Sequence, residues 1–159
     1  MKKMILFLIA VLFLFACADR DVQDDIINYY NEEMPAIEPA ETQVLNDFDQ
    51  LLASNLLDEE VQNGITEDII PRYESVVEDF RNLPIETEPL QEVHDLYIEF
   101  SETQLAAIGL TADAYKGQDA SIIEEVNSLL DEALTLNQQF QEELEKLFDE
   151  YNIEIEEVE

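Results

Sequence analysis

The sequence predicts an all-α fold, an antiparallel helical bundle of four to five helices with two long C-terminal helices as its spine. Three observations lead there. Apolar residues recur every three or four positions almost throughout the chain. Three glycines, five prolines and no low-complexity linker in 159 residues leave little room for strands and hairpins. The last two apolar stripes are long and separated by so short a turn that their helices must lie antiparallel.

A first helix is expected from about Asp21 to Met34, with Val22, Ile26, Tyr29 and Tyr30 inward. Pro35 and Pro39 then predict a break, because each ring removes a backbone donor and crowds the preceding turn. A second helix, about Thr42 to Leu57, turns Val44, Phe48, Leu51 and Leu52 to the core. Asn63 and Gly64 predict a loop. Beyond it Thr66 is a candidate cap, with Glu67 and Asp68 where acidic groups suit the helix dipole. A start near Ile70 would instead put Pro71 at the favoured first position. Either start leaves Ile69, Tyr73, Val76, Phe80 and Leu83 as one stripe, ended by Leu83-Pro84.

Thr87, with Pro89 in the first turn, opens a fourth helix. Its inward set is Leu90, Val93, Tyr97, Phe100, Gln104, Ala107, Ile108, Thr111 and Ala114, and Gly117 closes it. Asp119 caps a fifth, whose stripe runs Ile122, Val126, Leu129, Ala133, Leu136, Phe140, Leu144, Leu147 and Tyr151. The tail 153–159 alternates apolar and acidic residues, a pattern that fits a short strand but more often marks a frayed end.

Ahead of the bundle, Lys2 and Lys3 precede an uncharged apolar run from Met4 to Ala16, and Cys17 follows. A basic start, an apolar stretch of roughly 7–15 residues and a small residue at the cut describe a secretory leader; a spanning helix needs about 20 apolar residues. Leu14-Phe15-Ala16-Cys17 resembles the lipobox of bacterial lipoproteins, with Phe15 larger than is usual at its position. The resemblance implies cleavage between Ala16 and Cys17 and a diacylglyceryl group on the Cys17 sulfur, two chains being enough for stable anchoring. Cys17 is the only cysteine, so no intramolecular disulfide forms and no cysteine-based metal site exists. The expected division is a leader over 1–16, lipid anchor and short tether over 17–20, helical bundle over 21–152 and acidic tail over 153–159. So short a tether would hold the bundle close to the membrane, on its extracytoplasmic face. As a whole the chain resembles the small acidic helical lipoproteins of Gram-positive bacilli.

Cleavage there would remove two bases and no acid, leaving five bases against 39 acids, a net charge of −34. Four of the five follow an acid by three or four residues, at helical pairing distance: Arg72 after Asp68, Arg81 after Glu78, Lys116 after Asp113 and Lys146 after Glu142. No basic cluster remains to neutralise phosphates, which excludes nucleic acid as a partner. Charge of one sign keeps a chain soluble and monomeric and costs stability through self-repulsion. Its even spread points to a salty or alkaline solvent outside the cell rather than to a dedicated surface for a cationic partner.

Catalysis needs a group poised near neutral pH or an activated nucleophile, and His94 is the only histidine. It stands beside the core stripe next to Val93 and is expected to be half-buried or at an interface. No second histidine follows at i+4, and Tyr97 stands at i+3, so the helix-borne metal motifs fail. Carboxylates are too abundant for any one pair to signal an acid and base. Asp19, Asp21, Asp24 and Asp25 cluster, but the glycine and terminal glutamate of a calcium loop are missing. Ser101 and Ser121 have no base partner by spacing. The expectation is a non-enzymatic binding or structural module of the cell envelope, without cofactor, metal or catalytic residue. Its partners would be the membrane, through lipid on Cys17, and an envelope protein or the cell wall. The alternative is a small-ligand or cation-binding lipoprotein, with a pocket between the fourth and fifth helices near His94, Tyr97 and Gln104.

Overall fold

The structure, a computed structural model, describes residues 20–117 and 121–154. The leader, Cys17, Asp19, the Asp119 cap and the last five residues of the tail lie outside the described residues. Among the described residues the chain forms four helices and no strand. Helix α1 runs through residues 20–28, a π-helical turn Tyr29–Glu33 and Met34–Leu52 without a break. Helix α2 likewise joins Asp58–Gly64, a π turn Ile65–Ile69 and Ile70–Arg81. Helices α3 (Glu88–Gly117) and α4 (Ser121–Glu150) form the expected spine, the most closely packed pair in the molecule.

The break expected at Pro35 and Pro39, and the loop expected at Asn63 and Gly64, are therefore corrected. One device explains much of both. In each long helix a π turn ends two residues before a proline, and the residue between donates its N–H five positions back, Met34 to Tyr29 and Ile70 to Ile65. Pro35 and Pro71, which have no N–H, follow at once. A proline interrupts the four-residue ladder whatever precedes it; the wider π turn makes room for the ring and lets helical dihedrals continue. Pro35, Pro39 and Pro71 are all exposed, so water can satisfy the carbonyls they release. Gly64 lies where α2 crosses α1: a Cβ there would stand 2.8 Å from a Leu51 methyl carbon.

The helix ends are tied to one another. The Asp25 carboxylate of α1 accepts the Glu86 N–H at 3.1 Å, the Thr87 N–H at 2.9 Å and the Thr87 hydroxyl at 2.6 Å, fixing the start of α3. The Gln23 amide donates to the Tyr151 carbonyl at the end of α4. That end closes on Asn152 in the left-handed region (φ 53°), with Ile153 N–H donating 2.8 Å to the Phe148 carbonyl. Ile153 is partly buried against the core, so fraying does not begin there. The starts of α1 and α3 and the end of α4 thus share one end of the bundle.

The core is continuous, from Val22, Ile26 and Tyr29 through Tyr73, Phe80 and Leu90 to Phe140, Leu144 and Leu147. Tyr97 is its aromatic hub, its ring edge-on to Phe80, Phe140 and Phe100 with centroids 4.7, 5.0 and 5.4 Å away. Full burial of one such side chain contributes about 1.5–3 kcal/mol. Tyr30, expected inward, instead lies at the edge against Phe148. The arginines bind helices together: Arg72 of α2 reaches Asp47 of α1 at 2.7 Å as well as Asp68, and Arg81 reaches Glu102 of α3 as well as Glu78. Lys146 pairs with Glu143 rather than Glu142, and Lys116 makes no ion pair with Asp113.

Candidate functional site

Two polar clusters cross the bundle. In the first, the Glu41 carboxylate of α1, 8% exposed, accepts the Tyr73 hydroxyl of α2 at 3.0 Å and the Tyr97 hydroxyl of α3 at 2.6 Å. Burial raises the Glu41 pKa above its ordinary value, the two tyrosine hydrogen bonds pull it back, and nearby Glu38 raises it further. Burial raises the Tyr73 and Tyr97 hydroxyls as well, beside the Glu41 charge, so both phenols stay protonated. Tyr73 also lies 3.1 Å from Oε1 of Gln104. One phenolic proton cannot serve both acceptors. With Glu41 ionised the proton goes to the carboxylate, and Gln104 meets the phenol through its amide nitrogen, the two ends of the amide being interchangeable in shape. With Glu41 protonated, the carboxyl supplies a proton of its own and Tyr73 is freed for the Gln104 oxygen.

In the second cluster, His94 of α3 is 2% exposed, with Nδ1 2.9 Å from the Tyr29 hydroxyl and Nε2 3.0 Å from the Phe80 carbonyl. A carbonyl only accepts, so Nε2 carries the proton and Nδ1 accepts from Tyr29. Burial lowers the His94 pKa, against the Phe80 hydrogen bond and Asp95, which raise it. The expectation of a half-buried histidine is corrected: Tyr29, inward on the stripe of Val22 and Ile26 where the π turn of α1 begins, covers the ring. Among the described residues no buried side-chain nitrogen or oxygen lacks a partner. The clusters hold the helices in register.

The open surface lies elsewhere, along the seam between α1 and α4, where the Met34–Leu52 part of α1 packs on α2 and far less closely on α4. A groove of about 480 Å³ runs there, in the range of small-molecule sites, with α3 as its floor. Leu45, Phe48, Asp49 and Leu52 form the α1 wall, and Ile123, Val126, Asn127 and Leu130 the α4 wall. Gln104, Ala107, Ile108, Thr111 and Tyr115 line the floor. A smaller cavity of about 330 Å³ opens on the same seam nearer the start of α1, between Tyr30, Met34 and Glu38 on one side and Phe140 and Leu144 on the other.

Of the residues singled out from sequence, Gln104 reaches the groove, while His94 and Tyr97 turn into the core. The cavity expected between the two long helices lies between α1, α3 and α4 instead. Glu41 was not anticipated; Phe48 and Leu52, expected to face the core, pack partly against it and also line the groove. The signal was present: Met34, Ile37, Glu41, Val44, Phe48 and Leu51 are spaced 3-4-3-4-3. Ending a helix at the prolines cut that stripe in two. Asp25, singled out for calcium, serves Thr87, and among the described residues no three His, Cys, Asp or Glu side chains are grouped to hold a metal ion.

Chemically, the groove offers largely apolar walls, the amides of Gln104 and Asn127, the hydroxyls of Thr111 and Tyr115, and one carboxylate, Asp49. Compared with family models, curated proteins and solved structures, the chain matches none.

Proposed function

We propose that this chain is a lipoprotein of the bacterial cell envelope, held on the extracytoplasmic face by lipid on Cys17, whose bundle is a non-enzymatic binding module. The apolar groove between α1, α3 and α4 carries the binding part: it is open, while among the described residues the buried side-chain nitrogens and oxygens already have partners. The leader and the Leu14-Phe15-Ala16-Cys17 segment carry the address. A second reading, a small apolar ligand in the groove, is favoured by the cavity volume alone.

Mass spectrometry of the mature protein from its host, with and without globomycin, which blocks the lipoprotein peptidase, tests the address. A chain beginning at diacylated Cys17, with uncut precursor accumulating under the drug, is the expected result; an unlipidated chain overturns it. An environment-sensitive apolar dye tests the groove: its emission should rise with the full chain and fall for Leu130→Glu. Equal emission from both removes the groove as a binding surface.

A further inference from the structure

The apolar surface does not stop at the groove. On α4, Ile123, Leu130 and Leu134 are 46%, 45% and 56% exposed, and Ile123 and Leu130 already line the groove. Leu134 stands eleven residues from Ile123, three helical turns, hence on the same face. The stripe is about 16 Å long at 1.5 Å per residue. A compact small molecule fills less than that length, whereas three turns of an amphipathic helix match it, laying side chains at i, i+3, i+4 and i+7 between two helical walls. Ala107 and Thr111 keep the floor low, so a third element can approach closely.

The even spread of acid marks out no cationic-partner surface by itself, but beside this apolar stripe it narrows the occupant. Among the described residues no lysine or arginine lines the groove; Asp49 stands on the α1 wall, and Glu124 and Asp131, seven residues apart and both exposed, flank the outer side of the α4 stripe. A second copy of this chain, carrying the same excess of 39 acids over seven bases, would be repelled, as would an anionic amphiphile. The groove also lies far from the proposed anchor. Leu45 to Leu52 are roughly 40–50 Å along α1 from Arg20 at 1.5 Å per residue, toward the opposite end of that helix.

We infer that the α1/α4 seam docks a basic amphipathic helix of a partner protein, its apolar face on Leu45, Phe48, Leu52, Leu130 and Leu134 and its basic flanks toward Asp49, Glu124 and Asp131. This rests on the binding-module reading above and adds the partner's chemistry. The chain contains no tryptophan, so a synthetic helix of leucine and lysine with one tryptophan reports its own binding. The full chain is placed in zwitterionic lipid nanodiscs, and the signal from empty discs is subtracted. The basic helix should bind at least about tenfold more tightly than the same peptide with every lysine replaced by glutamate. Leu130→Glu with Leu134→Glu should weaken it about tenfold with unchanged circular dichroism, and Asp49→Lys with Asp131→Lys several-fold. Equal affinity for the two peptides, or for wild type and the leucine variant, overturns the inference. Self-association in sedimentation that the leucine variant abolishes gives the seam to a second copy and also overturns it. If the basic helix fails but the apolar dye still responds to Leu130→Glu, the occupant is wrong and the binding module stands. If neither responds, both fall.

Discussion

The Tyr29 hydroxyl lies 2.9 Å from Nδ1 of His94, joining the π turn of α1 to the second turn of α3. The rings are also edge-on, with centroids 5.5 Å apart. Because Nε2 is committed to the Phe80 carbonyl at 3.0 Å, Tyr29 is the partner that Nδ1 has. Tyr29→Phe keeps the ring contact and strands the nitrogen. It should cost about 1–3 kcal/mol in urea unfolding, the cost of a buried acceptor left without a donor. A loss indistinguishable from zero would mean that water or a rotated ring replaces the bond.

Helix α3 offers a change in the opposite direction. Gly109 is in its interior, and a Cβ added there meets nothing within 4 Å. Glycine in a helix interior is about 0.8–1 kcal/mol less favourable than alanine, so Gly109→Ala should stabilise by about that amount. Gly64→Ala has the same propensity gain but points its methyl at Leu51, 2.8 Å away. It should stabilise less, and the difference between the two variants in one denaturant series measures the α1/α2 contact.

The contrast between these sites shows what sequence patterning conveys. The 3.6-residue repeat was plain in α3 and α4, where no proline intervenes, and every residue expected inward there is buried or partly buried. In α1 and α2 the local rule for proline opposed the repeat, and the repeat won, because the rings face water and π turns precede Pro35 and Pro71. Glu41 was hidden by the same conflict and by its company, one carboxylate among 39 acids. The ion pairs were half legible: spacing along one helix gave Arg72 with Asp68 and Arg81 with Glu78, but Asp47 and Glu102 come from other helices, which no spacing records.

Added salt should stabilise the fold. Screening weakens the five ion pairs seen among the described residues, all between half-exposed or exposed groups that water already screens. It also relieves repulsion among 39 acids that only seven bases oppose, and the larger number of like-charge pairs decides the sign. The melting temperature should rise by about 5 °C or more between about 0.05 M and 1 M sodium chloride. A fall would show that the arginine bridges outweigh the general repulsion.

Glu41 makes the pH dependence specific. Its pKa is raised in the fold, chiefly by burial, above an ordinary value of 4.5. The folded state therefore holds its proton more tightly than the unfolded state. The resulting stabilisation is complete below about pH 4.5 and is lost as pH rises through the folded value. Glu41→Gln is close in shape to the protonated acid and cannot titrate, so it removes this one dependence while the other acids remain in both proteins. Near pH 4.5 the two should unfold at similar urea concentrations. The glutamine variant should gain on wild type steadily as pH rises toward 8, and beyond the raised pKa the gap should level off. The plateau gives the free energy of keeping the carboxylate ionised between Tyr73 and Tyr97, since a tenfold change in proton affinity corresponds to about 1.4 kcal/mol. A gap that shrinks with pH would mean that the two phenolic hydrogen bonds outweigh burial and that the carboxylate is ionised more readily in the fold than in water.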